Sequence, residues 1–306
     1  MLRSVLPNWF FGLSATLILL LNTLVCGALV FVLGLVKLVL PITAVSELLH
    51  LAYGLWCQGN RLALKVGCEQ VNVNTPPQVR HQGWYLLVAN HISWLDIVVL
   101  SANQALPAPK FFLKDELKYV PFIGTGAWAM GMPFMKRASR AQVAKNPKLK
   151  GLDVARTKHS CRNFRQHPTT VINFAEGTRF TKVKQHKQQS TFNHLLKPKA
   201  GGTAFALEVL GEQLDGLLNT TIMYESKNEH ICRSFMLGQL QSVHVDIALI
   251  DIATVPQGCY QQDKQYRVLF QNYLNTLWQN KDKQLSQLYL QYGKKGTEIN
   301  KETAPL

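Results

Sequence analysis

A long stretch without charge near the start of the chain limits its folding options more than any other feature. From Leu6 to Val36 no side chain is charged, and the run WFFGLSATLILLLNTLVCGALVFVLGLVKLVLP is interrupted only by Asn22, small residues and then Lys37. About 20 such residues cross a bilayer as a helix. The run can therefore span with some tilt, or fold back as two short helices in one leaflet, bending at Gly12, Gly27, Gly34 or Pro41. A cleaved signal peptide fits poorly, because Arg3 is a weak n-region, the apolar stretch is about twice the usual length and no small-x-small site ends it. A buried helix of a soluble protein is the remaining rival. The expectation is a retained membrane anchor and interfacial helix over residues 1–58, followed by a catalytic domain over 59–306; the interfacial helix starts in SELLHLAYGLWCQGNRLALKVG, residues 46–67.

Beyond the anchor, short apolar runs alternate with helical patterns. WYLLVAN (84–90), FFL (111–113), TTVINF (169–174), TTIMYE (220–225) and SVHVDIALI (242–250) read as strands. SWLDIVVLSANQ (93–104), TAFALEVLGEQ (203–213) and the amphipathic stretch 266–292 read as helices, and 182–202 as a polar, basic loop. This alternation predicts an α/β body with a mixed, mainly parallel sheet flanked by helices. A chain of 306 residues can bury a sizeable core, and no repeat or linker divides residues 60–306.

Charged residues make up only 17% of the chain, yet its formal net charge is +15. Between Lys136 and Lys199 there are 16 Lys or Arg against two acids, Asp153 and Glu176, a net +14 in 64 residues. Such a field favours nucleic acid, a phosphate-bearing substrate or anionic lipid. The apolar anchor tips the choice toward lipid headgroups, with a solvated basic face that binds nothing as the plainer reading for most of these lysines, and no nucleic-acid partner is expected, because aromatic residues are not interleaved with the basic ones as a base-stacking surface requires. The six cysteines form no CxxC pair and no zinc-like spacing. They read as isolated thiols in a reducing compartment, and no structural metal is expected.

The stretch 87-LVANHISWLDIVVL-100 places His91 at the end of a buried strand and Asp96 five residues later. Five helical residues turn side chains by about 500°, so the two meet only if His91 precedes the helix. Asp96 can then hold one ring nitrogen of His91 and leave the other as a general base, with Asn90 and Ser93 as caps or local organisers. A His and an Asp at this spacing are, taken alone, more often structural. In 173-NFAEGTRF-180, Glu176, Gly177, Thr178 and Arg179 form a turn at the carboxyl end of a strand, where open α/β sheets collect ligands. Arginine suits bidentate contact with phosphate; the plainer alternative is a turn closed by a Glu176–Arg179 pair.

Together these blocks resemble the lysophospholipid acyltransferase family, which includes the 1-acylglycerol-3-phosphate acyltransferases. The family's N-H-x4-D block is met by Asn90, His91 and Asp96. A second block is met by Lys114, Glu116, Leu117, Pro121 and Gly124, with a basic end at Arg137. The third, usually FPEGTR, reads FAEGTR at 174–179, and LLKPKAGG, with Lys197 and Gly201, resembles the link to the next helix. The likeness extends over residues 85–280 and is nearest to a bacterial inner-membrane subgroup carrying FFLKxxL, PFMKR and HPTT segments. Two departures stand out: Ala175 replaces the usual proline, and the fourth block, normally ending in proline, is met only by the apolar part of TTIMYE.

The resemblance implies transfer of a fatty acyl group from acyl-CoA or acyl carrier protein to the sn-2 hydroxyl of 1-acylglycerol-3-phosphate (lysophosphatidate), giving phosphatidate. His91 would be the base and Asp96 its orienting partner. Lys114, Arg137, Glu176, Gly177, Thr178 and Arg179 would bind the acceptor, with Asn90, Ser93, Pro121 and Gly124 in support. No covalent intermediate is expected, in keeping with the lack of a GxSxG elbow, and no cofactor or metal beyond the thioester co-substrate. The implied partners are the bilayer, the lysophospholipid acceptor and the acyl donor, with the catalytic domain facing the cytoplasm from a bacterial inner membrane. Two alternatives stay open. One is acylation of another acceptor, such as a different lysophospholipid, a glycerophosphodiester, a sugar lipid or a hopanoid-like alcohol. The other is a non-catalytic, membrane-tethered protein that binds anionic lipid, which leaves the His91–Asp96 pairing without a purpose.

Overall fold

The computed structural model describes residues 3, 5–111, 113–120, 123–132, 134–135, 167–226, 228, 230–260 and 262–302. Two long helices come first, α1 (Asn8–Val39) and α2 (Thr43–Gly67). The body follows as β1 (Gln70–Asn74), β2 (Trp84–Ala89), α3 (Leu95–Ser101), β3 (Pro109–Phe111), β4 (Leu113–Lys114), α4 (Ile123–Ala129) and β5 (Phe134–Met135). It continues with β6 (Thr169–Phe174), α5 (Lys182–Lys187), α6 (Ala200–Leu210), β7 (Gly216–Ser226), α7 (Ile231–Met236), β8 (Leu240–Ile250) and α8 (Lys264–Glu302). Six strands form one sheet in the order β1-β8-β7-β2-β6-β3, and β4 pairs separately with β5. Every neighbouring pair in the large sheet is parallel except β7 with β8. This is the mixed, mainly parallel α/β sheet that the alternating pattern predicts.

The near-continuous apolar run of β2 follows from its place in the sheet. Side chains alternate across a strand, and a central strand covered by helices on both sides needs apolar residues in both registers. Leu86 and Val88 point into one core cluster, with Ala204 and Leu207 of α6 and Phe270, Leu274 and Trp278 of α8. Tyr85, Leu87 and Ala89 point into the other, with Leu64 of α2, Leu95, Val98 and Val99 of α3 and Phe235 of α7. Ala15 of α1 belongs to this second cluster.

The first apolar run is one continuous helix, so Gly12, Gly27 and Gly34 do not divide it, and the chain breaks at Leu40–Ile42, around Pro41. By length and composition α1 is able to cross a membrane. One stripe of it, Gly12, Ala15, Cys26, Val30 and Gly34, is buried against protein, while Leu13, Leu17, Leu20, Leu24, Val25 and Val32 are exposed. Asn22, the polar exception in the run, donates to the Trp56 carbonyl (2.9 Å) and to Asn60 Oδ1 (3.2 Å) on α2. Gly59 makes room for it, since a Cβ there would lie 2.2 Å from the Asn22 side chain. Asn60 continues the chain of hydrogen bonds to Ser101 at the end of α3 (2.9 Å). Arg3, weak as a signal-peptide charge, donates to the carbonyls of Val66 (2.6 Å) and Cys68 (2.7 Å) and so satisfies acceptors left open at the end of α2.

Several expected boundaries shift. A division at 58/59 falls inside α2, whose second half packs on α3, so anchor and body share one helix. The predicted loop at 182–202 holds α5, where Thr181 accepts from the Lys184 amide (3.2 Å) as an N-cap. The helix predicted from Ser93 starts at Leu95, and the one predicted from 203 starts at Ala200. Neither β1 nor α7 is predicted: β1 is exposed along its whole length at the sheet edge, and α7 has only six residues. Of the basic segment between Lys136 and Lys199, residues 136–166 lie outside the described residues.

The docking of α1 is testable at two glycines. A Cβ on Gly12 would lie 2.2 Å from the Gly238 amide nitrogen and 2.4 Å from the Met236 carbonyl oxygen, whereas Gly27 has nothing within 4 Å. Gly12→Val is expected to destabilise the detergent-solubilised protein by about 1–3 kcal/mol, the usual scale of overpacking. Gly27→Ala is expected to be neutral or stabilising by up to about 1 kcal/mol through helix propensity. Thermal unfolding of the two variants compares them directly, and equal stabilities would contradict the packing of α1 on the 236–238 turn.

Candidate active site

The carboxyl ends of β2 and β6 lie side by side, with Ala89 opposite Phe174, and the His91 and Glu176 blocks leave the sheet at that point. Asn90 takes over where β2 stops: its side chain donates to the Ile222 carbonyl (2.9 Å) and accepts from the Ile222 amide (2.8 Å), fastening the departing chain to β7. His91 follows in the turn before α3, as the spacing argument requires. Its Nδ1 lies 2.8 Å from Asp96 Oδ2. Because a carboxylate only accepts, Nδ1 carries the proton and Nε2 is left with a lone pair. The His91 ring stacks on Phe174 at 4.1 Å between centroids, and 16% of its side chain is exposed.

Asp96 is completely buried, and its charge is met from several directions. Oδ2 also accepts from the amides of Ile92 (2.8 Å) and Ser93 (3.1 Å), and Oδ1 accepts from the Tyr224 hydroxyl (2.6 Å). The turn Ile92–Leu95 is thus wrapped around the carboxylate. Ser93 acts one residue earlier than a cap, accepting from the Leu95 amide (3.2 Å) through Oγ, which also lies 3.1 Å from Cys232 Sγ. Burial raises the Tyr224 phenol well above its ordinary range, and Asp96 beside it adds to the effect. Tyr224 therefore stays protonated as a donor.

Glu176 does not face outward as an acceptor-binding group. It is fully buried, and its two oxygens accept from the amides of His91 (3.3 Å) and Leu196 (3.2 Å). This also removes the expected alternative of a Glu176–Arg179 pair. Burial pushes the Glu176 carboxyl up to about 8, against the opposing pull of those amides and of Lys281. Gly177 turns the chain at φ +67, a conformation natural to glycine. Ala175, where the family has proline, donates its amide to the Ala89 carbonyl (3.3 Å), a bond that proline lacks.

Beyond Glu176 the turn is cationic. Arg179 is exposed, and Lys184 donates to Thr178 Oγ1 (2.8 Å) and to the Arg179 carbonyl (2.9 Å). Lys199 Nζ lies 3.5 Å from where a Cβ on Gly177 would be. Among the described residues no carboxylate forms an ion pair with Arg179, Lys184 or Lys199. Other expected residues are placed elsewhere or lie beyond description. Gly124 sits in α4, packed against the Lys118 backbone on the α1 side of the molecule. Lys114 ends β4, with its side chain outside the described part, as are Pro121 and Arg137 entirely. Among the described residues, no three His, Cys, Asp or Glu side chains group as metal ligands would.

Sequence reasoning misses Tyr224, Lys184, Lys199 and Lys281. Tyr224 carries no signal that separates it from the threonines of the same strand, and Lys281 a faint one, a cation on the apolar side of a long helix. The two outer lysines carry none that separates them from the surrounding basic residues.

Known proteins resemble this chain in sequence. The chain is 25% identical over 243 residues to an uncharacterised acyltransferase of Saccharomyces cerevisiae, covering 71% of this chain and 61% of that one. It is 26% identical over 196 residues to the 1-acyl-sn-glycerol-3-phosphate acyltransferase epsilon of Mus musculus, covering 56% and 51% respectively. The chain thus spans between half and two thirds of the length of these curated relatives. The crystal structure of the 1-acyl-sn-glycerophosphate acyltransferase of Thermotoga maritima aligns over 82% of this chain and 95% of its own, with 16% identity and a TM-score of 0.41. The family model described as Acyltransferase matches residues 70–226, just over half of the chain and a span that includes His91, Asp96 and the whole 174–179 turn. The chain therefore belongs to the acyltransferase family.

Proposed function

We propose that the protein transfers a fatty acyl group from a thioester, acyl-CoA or acyl carrier protein, to the sn-2 hydroxyl of lysophosphatidate. The observation that carries this reading is the 2.8 Å bond from His91 to a carboxylate that three further donors hold in place. A histidine fixed in this way, with Nε2 unprotonated, suits removal of a proton from a hydroxyl. The acceptor oxygen attacks the thioester carbonyl carbon as its proton passes to His91 Nε2. The tetrahedral intermediate then collapses, the carbon–sulfur bond breaks, and the departing sulfur takes the proton from His91. No enzyme nucleophile is needed, because the acceptor hydroxyl attacks.

The cationic turn supports an acceptor that carries phosphate. Arg179 is exposed in the turn, Lys184 bonds to Thr178 and to the Arg179 carbonyl, and Lys199 lies beside Gly177, while the only acid in the turn, Glu176, is turned inward. A phosphomonoester, with nearly two negative charges, suits such a rim better than a neutral lipid does.

The apolar helices suit delivery from a membrane. The buried stripe of α1 from Gly12 to Gly34 covers about 33 Å of helix at 1.5 Å per residue, and it rests against α2, α4 and α7 along that length. A helix attached to the body in this way fits one leaflet, lying with its exposed leucines in the acyl region. A bacterial inner membrane, with the site facing the cytoplasm, is the setting this reading favours.

The test is acyl transfer by purified protein in mixed micelles, followed by thiol release. His91→Ala is expected to lower kcat by at least about 100-fold, and Asp96→Asn by an equal or smaller factor; near-normal turnover by H91A would end the general-base assignment. A second comparison concerns the acceptor. Monoacylglycerol is expected to react more slowly than lysophosphatidate by about ten-fold or more, and Arg179→Ala to raise the KM for lysophosphatidate more than that for the thioester. Equal rates with the two acceptors would refute a phosphate-directed site while leaving acyl transfer intact.

A further inference from the structure

The helix α6 begins without a cap of its own. Lys199 stands at its N-cap position, and a lysine ammonium cannot accept from the open amides of a first turn. The missing acceptor comes from α8. Gln271 Oε1 accepts from the Ala200 amide (3.2 Å), and Nε2 of the same side chain donates to the Pro198 carbonyl (3.0 Å). One planar amide thus clasps the backbone on both sides of Lys199. A second bond from Nε2, to Asn275 Oδ1 one turn further along α8 (2.9 Å), fixes the orientation of that amide.

The clasped residue is the one that meets the 174–179 turn. The Lys199 amide donates to the Ala175 carbonyl (2.8 Å), and Nζ lies 3.5 Å from where a Cβ on Gly177 would be. The other end of the 193–200 loop is fastened to the same helix. Asp282, buried, accepts from the Asn193 and His194 amides through its two oxygens, at 2.8 Å each, and His194 Nε2 lies 3.1 Å from Ser286 Oγ. A cation on a free loop gives up backbone freedom when it engages an anion. A backbone already held from both sides has less to give up.

We propose that Gln271 is a positioning residue for the acceptor: by clasping Pro198 and Ala200 it aims the Lys199 ammonium at a phosphate bound on the 174–179 turn. The inference rests on the phosphate-acceptor reading given above. It gives α8 a part in substrate choice, although this helix lies outside residues 70–226, which the family model matches. Gln271 bears no charge, so its influence on an anionic acceptor passes through Lys199.

The test compares lysophosphatidate with monoacylglycerol, which lacks the phosphate, using full-length protein in mixed micelles and the thioester, acyl-CoA or acyl carrier protein, on which the wild type is faster. Lys199→Ala is expected to lower kcat/KM for lysophosphatidate by about ten-fold, the scale of one lost charge-assisted hydrogen bond, and to leave monoacylglycerol within about two-fold. Gln271→Leu removes donor and acceptor while keeping a side chain of similar size. It is expected to lower kcat/KM for lysophosphatidate by about three-fold or more, through KM, with monoacylglycerol and the KM for the thioester within about two-fold. Added to K199A, Q271L should cost no more than about 1.5-fold, because both substitutions remove the same interaction.

An unchanged preference between the two acceptors in folded Q271L overturns the inference, and so does an unchanged preference in K199A. An equal loss on both acceptors overturns it as well, since that marks Gln271 as a strut for the fold, and so does a Q271L loss that persists in full on K199A. Should Q271L fail to fold, Gln271→Asn carries the test. Its amide, one methylene shorter, cannot span Pro198 and Ala200 together, and an unchanged preference in folded Q271N overturns the inference. Two kinds of failure remain separate. If H91A turns over like the wild type, or the wild type acylates both acceptors equally fast, the reading of the function falls and this inference falls with it. If the wild type prefers lysophosphatidate and K199A loses that preference while Q271L keeps it, only the role of Gln271 falls.

Discussion

A carboxylate taken out of water must find donors inside the protein, and Asp96 finds four. Two come from the backbone that precedes it, one from the His91 ring and one from a tyrosine on a strand distant in sequence. This bonding turns a tight loop into a rigid holder, because any movement of residues 91–93 would strip hydrogen bonds from a buried charge. It also sets the tautomer of His91, the property on which the proposed use of that ring as a base depends. The burial of β2 is a condition for all of this. Only a strand covered on both faces delivers a histidine to a place where water does not compete for the aspartate.

The architecture was legible in the chain because burial on two faces leaves a strong imprint. WYLLVA has no polar face, and it and TTVINF, buried or half-buried throughout, are central strands. The His91–Asp96 contact was legible for a related reason, since five residues across a strand–helix junction leave few ways for the two side chains to avoid each other. The edge strand β1 left no such imprint: its alternating Val and Asn residues are exposed, and apolar patterning records burial alone. Contacts between residues far apart in sequence were beyond reach for the same reason. Tyr224 meets Asp96 across 128 positions, and nothing local at either residue specifies the other. Glu176 was legible as important, but the direction of its side chain was not, because that depends on two amides contributed by separate loops.

The polar residues of the apolar hairpin follow the same logic with weaker groups. Asn22, Asn60 and Ser101 form a line of amide and hydroxyl contacts from α1 through α2 to the end of α3. Each would be unfavourable alone in an apolar setting, and each is satisfied by the next. The same α3 carries Asp96 at its other end. The first helix of the chain is therefore linked to the helix that carries Asp96 by direct polar contacts as well as by packing.

Ala15 lies within the core cluster that covers one face of the sheet, and Arg3 closes the end of α2. The apolar helix is for this reason part of the body's interior, and cutting it away would uncover the neighbours of Ala15 in a cluster that α2, α3 and α7 also build. A tether joined to a finished domain can be lost or exchanged in the course of descent with little effect on the remainder. Here such a change would have to refill the space beside Gly67 and Phe235 that Ala15 occupies. The apolar helix and the integrity of the fold are in that sense inherited together.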